Sequence, residues 1–165
     1  MVEQDSIVRL EGKFEPGGKV RFGIVASRFN QQVVDKLLDG ALEALLQHGV
    51  GHDQITVVRV PGAWEIPFAC QRLAGLGHVV GIVALGAVIR GATPHFDLVA
   101  SESASGCARV MLQTGVPIGL GILTTETTQQ ALERAGGQMG NKGWEAALSV
   151  LETSSLVKML ADNGP

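Results

Sequence analysis

Short apolar runs alternate with helical stripes along most of this chain. Val20–Ala26 (VRFGIVA) reads as a buried strand. Asn30 follows, where its side-chain oxygen is expected to cap a helix. From Val33 onward, Val34, Leu37, Leu38, Ala41, Leu42, Leu45 and Leu46 fall on one helical face that closes at Gly49. Ile55–Val60 (ITVVRV) predicts a second strand, stopped by Pro61-Gly62. A helix over Ile66–Leu73 comes next, with Pro67 tolerated in its first turn. Gly75 and Gly77 end it, and Val79–Leu85 is the third strand. A loop beginning at Gly86 leads to a helix over Asp97–Thr114, and Pro117–Leu123 is the fourth strand. Glu126 or Thr127 opens a short helix carrying Arg134 near its end. Gly136, Gly137 and Gly140 break the chain before a last helix over Trp144–Leu160.

Strand and helix alternate four times, with two helices at the end, which predicts a parallel sheet covered by helices on both faces. Ile7–Leu10 reads as a short strand outside this repeat, so its partner is expected on another subunit. The expected organisation is one domain over 1–165, with an N-terminal arm (1–19) and a core (20–160).

Composition adds three points. The chain is 45% hydrophobic and only 18% charged, with a mean hydropathy of +0.24. So few charges imply apolar surface buried against other copies of the chain. A net charge of −3, no basic patch and no Tyr leave little for nucleic acid to bind. Cys70 and Cys107 lack CxxC spacing and read as small buried hydrophobes in a reducing compartment. No apolar run reaches membrane-spanning length and no signal peptide is visible, so the expectation is a cytoplasmic protein without membrane contact.

In a parallel sheet, ligands bind outside the carboxyl ends of the strands. The segments at those ends are Ser27–Asn30, Pro61–Glu65, Ala87–His95 and Thr124–Glu126. They supply two aromatics, two carboxylates, two arginines and a Gly-Ala-Thr turn ahead of His95. Aromatic faces stack on flat rings, and Glu65 accepts from hydroxyls or amines. Backbone N–H groups at the helix start favour an anion, and histidine is the side chain suited to proton transfer near neutrality. The pattern points to a small, planar, hydroxylated ligand plus an anionic partner. There is no GxxxxGK[ST] and no GxGxxG, which weighs against a nucleotide.

Each residue also has a plainer reading. Phe29 alone is a rim aromatic, Glu65 a charge favoured by a helix start, and Arg134 a helix C-terminal charge. Arg90 fits either a phosphate ligand or an intersubunit ion pair. His48 and His52 have metal spacing, but Gly49 and Gly51 deny them a helix, so both are expected to be solvated, as is His78. Ser101, Ser103 and Ser105 lie on a helix rather than a nucleophile elbow, which excludes a hydrolase of that type.

VPGAWEIP (Val60–Pro67), GAVIRGATPHFD (Gly86–Asp97), GILTTE (Gly121–Glu126), ERAG (Glu133–Gly136) and GNKG (Gly140–Gly143) resemble, in order and at the family's spacings, the lumazine synthases. The resemblance runs from about Val20 to Leu160, and five ordered matches are far more specific than any one. It implies a three-layer α/β/α sandwich with a central four-stranded parallel sheet of flavodoxin-like type. It also implies the penultimate reaction of riboflavin biosynthesis, run without a cofactor or metal. That reaction condenses 5-amino-6-(D-ribitylamino)uracil with 3,4-dihydroxy-2-butanone 4-phosphate to give 6,7-dimethyl-8-ribityllumazine.

On the matching positions, the resemblance implies that Phe29 stacks on the pyrimidine. Ala63, Trp64 and Glu65 bind the ribitylaminouracil, with Glu65 taking ribityl hydroxyls, and Ala87, Val88 and Ile89 line the same substrate. Ala92, Thr93 and Arg134 hold the phosphate, His95 shuttles protons, and Lys142 adds positive charge nearby. Leu120 stands where the family often has an aromatic that reaches a neighbour's pyrimidine, and Trp64 where Phe or Tyr is commoner. The implied partners are small-molecule substrates and further copies of the chain, in pentamers that assemble into an icosahedral shell. Riboflavin synthase is a candidate partner. A flavin-like carrier or a purely structural shell protein would keep the ring and ribityl contacts but leave His95 and Arg134 without a role. Riboflavin synthase of the archaeal type is the related enzyme reading, and product analysis separates the two.

Overall fold

The computed structural model describes residues 7–163. Strands β1 (Arg21–Ser27), β2 (Ile55–Val60), β3 (Val79–Ile89) and β4 (Ile118–Thr125) form one parallel sheet in the order β2-β1-β3-β4. Helices α1 (Gln31–Gln47) and α5 (Lys142–Asp162) cover one face. Helices α2 (Ile66–Ala74) and α3 (His95–Thr114) cover the other. This is the expected three-layer, flavodoxin-like arrangement.

The central strands β1 and β3 are almost wholly apolar because both of their faces are covered, whereas the edge strand β2 carries Thr56 and Arg59 and is only partly buried. Phe22, Ile24 and Ala26 of β1 pack with α1 and α5, while Val25 faces α2 and α3. On β3 the same alternation sends Val83, Leu85 and Ala87 one way and Ile82, Ala84 and Val88 the other. Helices α1 and α5 approach closely: a Cβ on Gly143 would meet the Leu37 carbonyl, and one on Gly40 would meet the Asn141 side chain. Asn141 ties the pair together. Its amide donates to Lys36 O at 2.9 Å, and its Oδ1 caps α5 by accepting from the N–H groups of Gly143 and Trp144.

Several boundaries differ from the sequence reading. β3 does not end at Leu85 but runs through Gly86 to Ile89. Gly86 is no turn residue; a Cβ there would press on Ile66 Cδ1 at 3.0 Å, so α2 packs directly against this point of the strand. Helix α3 starts at His95, two residues ahead of the expected start, and α5 starts at Lys142 under the Asn141 cap. The glycine break holds a small antiparallel hairpin of β5 (Ala135–Gly137) and β6 (Gly140–Asn141), preceded by α4 (Thr128–Glu133) with Thr127 as its cap.

The chain around Lys13–Gly17 lies along α5: the Lys13 N–H donates to Ser155 Oγ at 2.6 Å, and Lys158 Nζ to Gly17 O at 2.8 Å. His48 is not solvated as expected. Its ring sits edge-on to both Phe14 and Trp144, at 6.1 and 6.0 Å between centroids. Ile7–Leu10 forms no strand here, and Ile7 and Val8 are exposed; residues 1–6 of the expected arm lie outside the described residues. No helix among the described residues is long and apolar enough to cross a membrane.

From β1 the chain moves outward to β2, then returns past β1 to β3 and on to β4. The direction reverses between β1 and β3, so the loops leaving these neighbours diverge and open a crevice at their carboxyl ends.

Candidate active site

A cavity of about 470 Å³ occupies that crevice. Phe29 and Asn30 enter it from the end of β1, and Pro61–Glu65 from the end of β2. Ala87, Val88 and Ile89 form its floor on β3. Gly91 and Thr93 come from the loop beyond, and His95, Phe96 and Val99 from the opening turns of α3. The size suits a single bicyclic or substituted monocyclic ligand.

Phe29 and Trp64 are 72% and 60% exposed, so both rings stand free at the rim rather than in the core. An exposed aromatic on a cavity wall can take a planar ligand at little cost of rearrangement. Glu65 lies in a 3₁₀ turn (Ala63–Glu65) just ahead of α2, and its Oε2 accepts from the Gly62 N–H at 2.9 Å. That bond orients the carboxylate and leaves its other oxygen for a ligand. Ala63 is buried beneath it.

His95 is the first residue of α3 and its imidazole is exposed toward the cavity. The loop between Arg90 and Pro94 is closed by Arg90, which matches neither of the readings open in the sequence. Its Nε donates to Glu126 at 2.7 Å, its other nitrogens reach Asp97 at 3.4 and 3.5 Å, and its guanidinium lies 4.3 Å from the Phe96 ring centroid. The Glu126 carboxylate, and then Asp97, raise the Arg90 pKa above its ordinary value. Arg90 is therefore spent within its own chain, clipping the loop to β4 and to the first turn of α3. Asp97 would otherwise set a negative charge beside any anion at that helix start; Arg90 offsets it.

The structure gathers Phe29, Ala63, Trp64, Glu65, Ala87, Val88, Ile89, Thr93 and His95 around one space. Three expected residues do not line it. Ala92 lies between Gly91 and Thr93 and is exposed, but it is not one of the lining residues. Arg134 is the C-cap of α4, with one guanidinium nitrogen donating to Gln130 O at 3.0 Å. Leu120 is midway along the edge strand β4 and 56% exposed. Lys142 likewise pairs with Glu145 at 2.6 Å, outside the cavity.

Sequence reasoning missed Phe96 and Val99, whose helical spacing from His95 brings them to the same face, and it misjudged Asn30. Asn30 does not cap α1 through its side chain; its backbone O accepts from Val33 and Val34, while its amide donates to Ala87 O at 2.7 Å. No cluster of three or more His, Cys, Asp or Glu side chains suited to a metal ion occurs among the described residues.

The family model for 6,7-dimethyl-8-ribityllumazine synthase matches residues 19–158. A protein of that name from Nitratidesulfovibrio vulgaris strain Miyazaki F is 52% identical over 151 residues, covering 92% of this chain and 96% of its own length. The one from Aquifex aeolicus is 51% identical over 150 residues, covering 91% of this chain and 97% of its own. The one from Lawsonia intracellularis is 50% identical over 152 residues, covering 92% and 96%. The matched span takes in every strand of the sheet and every segment lining the cavity, and on these grounds the chain belongs to the 6,7-dimethyl-8-ribityllumazine synthase family.

Proposed function

We propose that this chain condenses 5-amino-6-(D-ribitylamino)uracil with 3,4-dihydroxy-2-butanone 4-phosphate, releasing phosphate and water and forming 6,7-dimethyl-8-ribityllumazine, the penultimate step of riboflavin biosynthesis. The observation that carries this reading is the cavity at the β1/β3 reversal, where two free aromatic rings, an oriented carboxylate and a histidine converge. Phe29 stacks on the pyrimidine, Trp64 and Ala63 flank it, and Glu65 accepts from ribityl hydroxyls. Ala87, Val88 and Ile89 present the strand backbone to the ring edge. Ala92 and Thr93 offer N–H groups and a hydroxyl to the phosphate at the start of α3.

The amine attacks the butanone carbonyl, and loss of water gives a Schiff base. Elimination of inorganic phosphate then unmasks a second carbonyl, and attack on it by the ribityl-bearing amine closes the ring with loss of a second water. Each step moves a proton, and His95 is the group that takes and returns it. Preorganised positioning of two reactants contributes more than any single proton transfer, so catalysis rests on the whole wall rather than on His95 alone.

Leu120 and Arg134 belong to a site shared between copies. Both lie outside the cavity of their own chain, and Leu120 is an exposed apolar side chain on an edge strand. Phe68, Leu98 and Leu112 are also exposed, at 67%, 63% and 84%, which suits helices α2 and α3 to burial against a neighbour. The working unit is accordingly a ring, a pentamer of single-domain chains, with pentamers closing into an icosahedral shell. The arm around Ile7–Leu10 adds to the next copy's sheet. The compartment is the cytoplasm, where Cys70 and Cys107 stay reduced, and riboflavin synthase, which consumes the product, is a candidate partner. The test mixes both substrates with the purified protein and identifies the product: fluorescent lumazine supports the reading, and riboflavin or no product refutes it.

A further inference from the structure

Asn30 is the only non-glycine residue with positive φ among those described, at φ 58° and ψ 41°. A side chain in this left-handed region is disfavoured, and asparagine tolerates it better than most residues. Strain of this kind persists where surrounding contacts hold it, and here the holding contact is visible. β1 ends at Ser27 and its pairing to β3 stops at Leu85, yet β3 continues to Ile89. The edge of β3 beyond Leu85 therefore loses its neighbour, and the Asn30 amide supplies the donor that the Ala87 carbonyl would otherwise lack.

Phe29 hangs between two anchors. Its own N–H donates to Pro61 O at 2.9 Å, continuing the line begun by Arg28 N–H to Val60 O. On its other side the left-handed turn at Asn30 is pinned to β3 and starts α1 through the Asn30 carbonyl. The ring makes few contacts of its own, being 72% exposed, so its position over the cavity is set by its backbone rather than by packing. We infer that Asn30 is a positioning residue for ring binding: its left-handed backbone and its amide bond to Ala87 O together fix Phe29 over the cavity. The inference rests on the function proposed above, and it assigns Asn30 no contact with the reacting atoms.

Three substitutions separate the two components. Asn30→Gly keeps the left-handed turn and removes the amide. Asn30→Asp keeps shape and turn but cannot donate to a carbonyl while ionised. Asn30→Ala loses both. Loss of one hydrogen bond corresponds to about a 2- to 12-fold change. The KM for the aminouracil should rise by about that factor in the Gly and Asp variants and further in the Ala variant. Because His95 and the phosphate loop are anchored elsewhere, kcat and the KM for the butanone phosphate should stay within about twofold of the wild type. Direct calorimetric binding of the aminouracil alone should weaken in parallel.

The wild-type enzyme is the control that distinguishes failures. A wild-type protein that neither binds the aminouracil nor makes lumazine overturns the function and this inference together. An active wild type with an unchanged aminouracil KM in the Gly and Asp variants overturns the role of Asn30 alone. Equal loss against both substrates, tracking a fall in Tm, also overturns it, because that is the mark of a merely structural residue. Should Asn30→Gly fail to fold, the nearly isosteric Asn30→Asp carries the comparison.

Discussion

Replacing Phe29 by alanine separates a binding surface from a piece of core. Full burial of a phenylalanine side chain contributes about 1.5–3 kcal/mol, and Phe29 is 72% exposed, so its truncation forfeits less than about 1 kcal/mol of stability. For a chain of this length that is a fall in Tm of no more than about 2–4 °C. A base stacked on an aromatic side chain gains about 1–3 kcal/mol, which converts to a rise of roughly 5- to 150-fold in the dissociation constant for the aminouracil. The assay is initial-rate kinetics followed by lumazine fluorescence, with each substrate varied in turn, beside a thermal melt. The KM for the aminouracil should rise and that for the butanone phosphate should not. A variant whose Tm drops by ten degrees or more while its aminouracil KM is unchanged would show that Phe29 supports the fold and does not bind the ring.

Other residues give separate expectations. His95→Ala should lower turnover by up to about 10²–10⁴-fold without abolishing it or disturbing assembly, and unchanged turnover with chemistry rate-limiting excludes the proton-shuttle role. Arg134→Lys keeps the charge and loses the planar fork, so the KM for the butanone phosphate should rise while aminouracil binding is retained; the reverse pattern sinks the assignment. Asp35 accepts from Arg59 at 2.9 Å, and this bond, more than the one from Gln31, lowers its pKa below the ordinary 3.8. A lowered folded-state pKa stabilises above 3.8 and is lost as pH falls through the folded value. For so open a pair the contribution is under about 1 kcal/mol. Denaturant melts of Asp35→Asn should show that deficit at neutral pH and none at the acid end; a deficit that persists there contradicts the ion pair.

Much of this architecture was legible because a doubly covered sheet writes continuous apolar runs into its strands, as in VRFGIVA and PIGLGIL. The order of those strands was not, since a buried run does not say which run lies beside it. Gly86 misled the reading of β3 because a glycine placed to admit Ile66 looks the same in sequence as one that makes a turn. The β5–β6 hairpin is too short for any period to register. At the site, Phe29, Glu65 and His95 could be found from their place after strands. Arg90 could not be assigned, because Asp97 and Glu126 lie seven and thirty-six residues away and only the fold unites them. Asn30 was misjudged for a local reason: next to a helix start an asparagine is most often a cap, and its true partner, Ala87, stands fifty-seven residues on. Leu120 and Arg134 lie off the cavity, as residues serving a neighbouring copy would.

The most direct test of the account is the structure of the assembled protein with an unreactive ribityl-pyrimidine analogue bound. The account predicts the pyrimidine against Phe29 at the carboxyl ends of β1 and β3, with the ribityl chain on Glu65. It predicts Leu120 and Arg134 of an adjacent copy reaching the same ligand. An analogue bound anywhere other than this cavity, or a cavity closed off by the neighbouring copy, would contradict it.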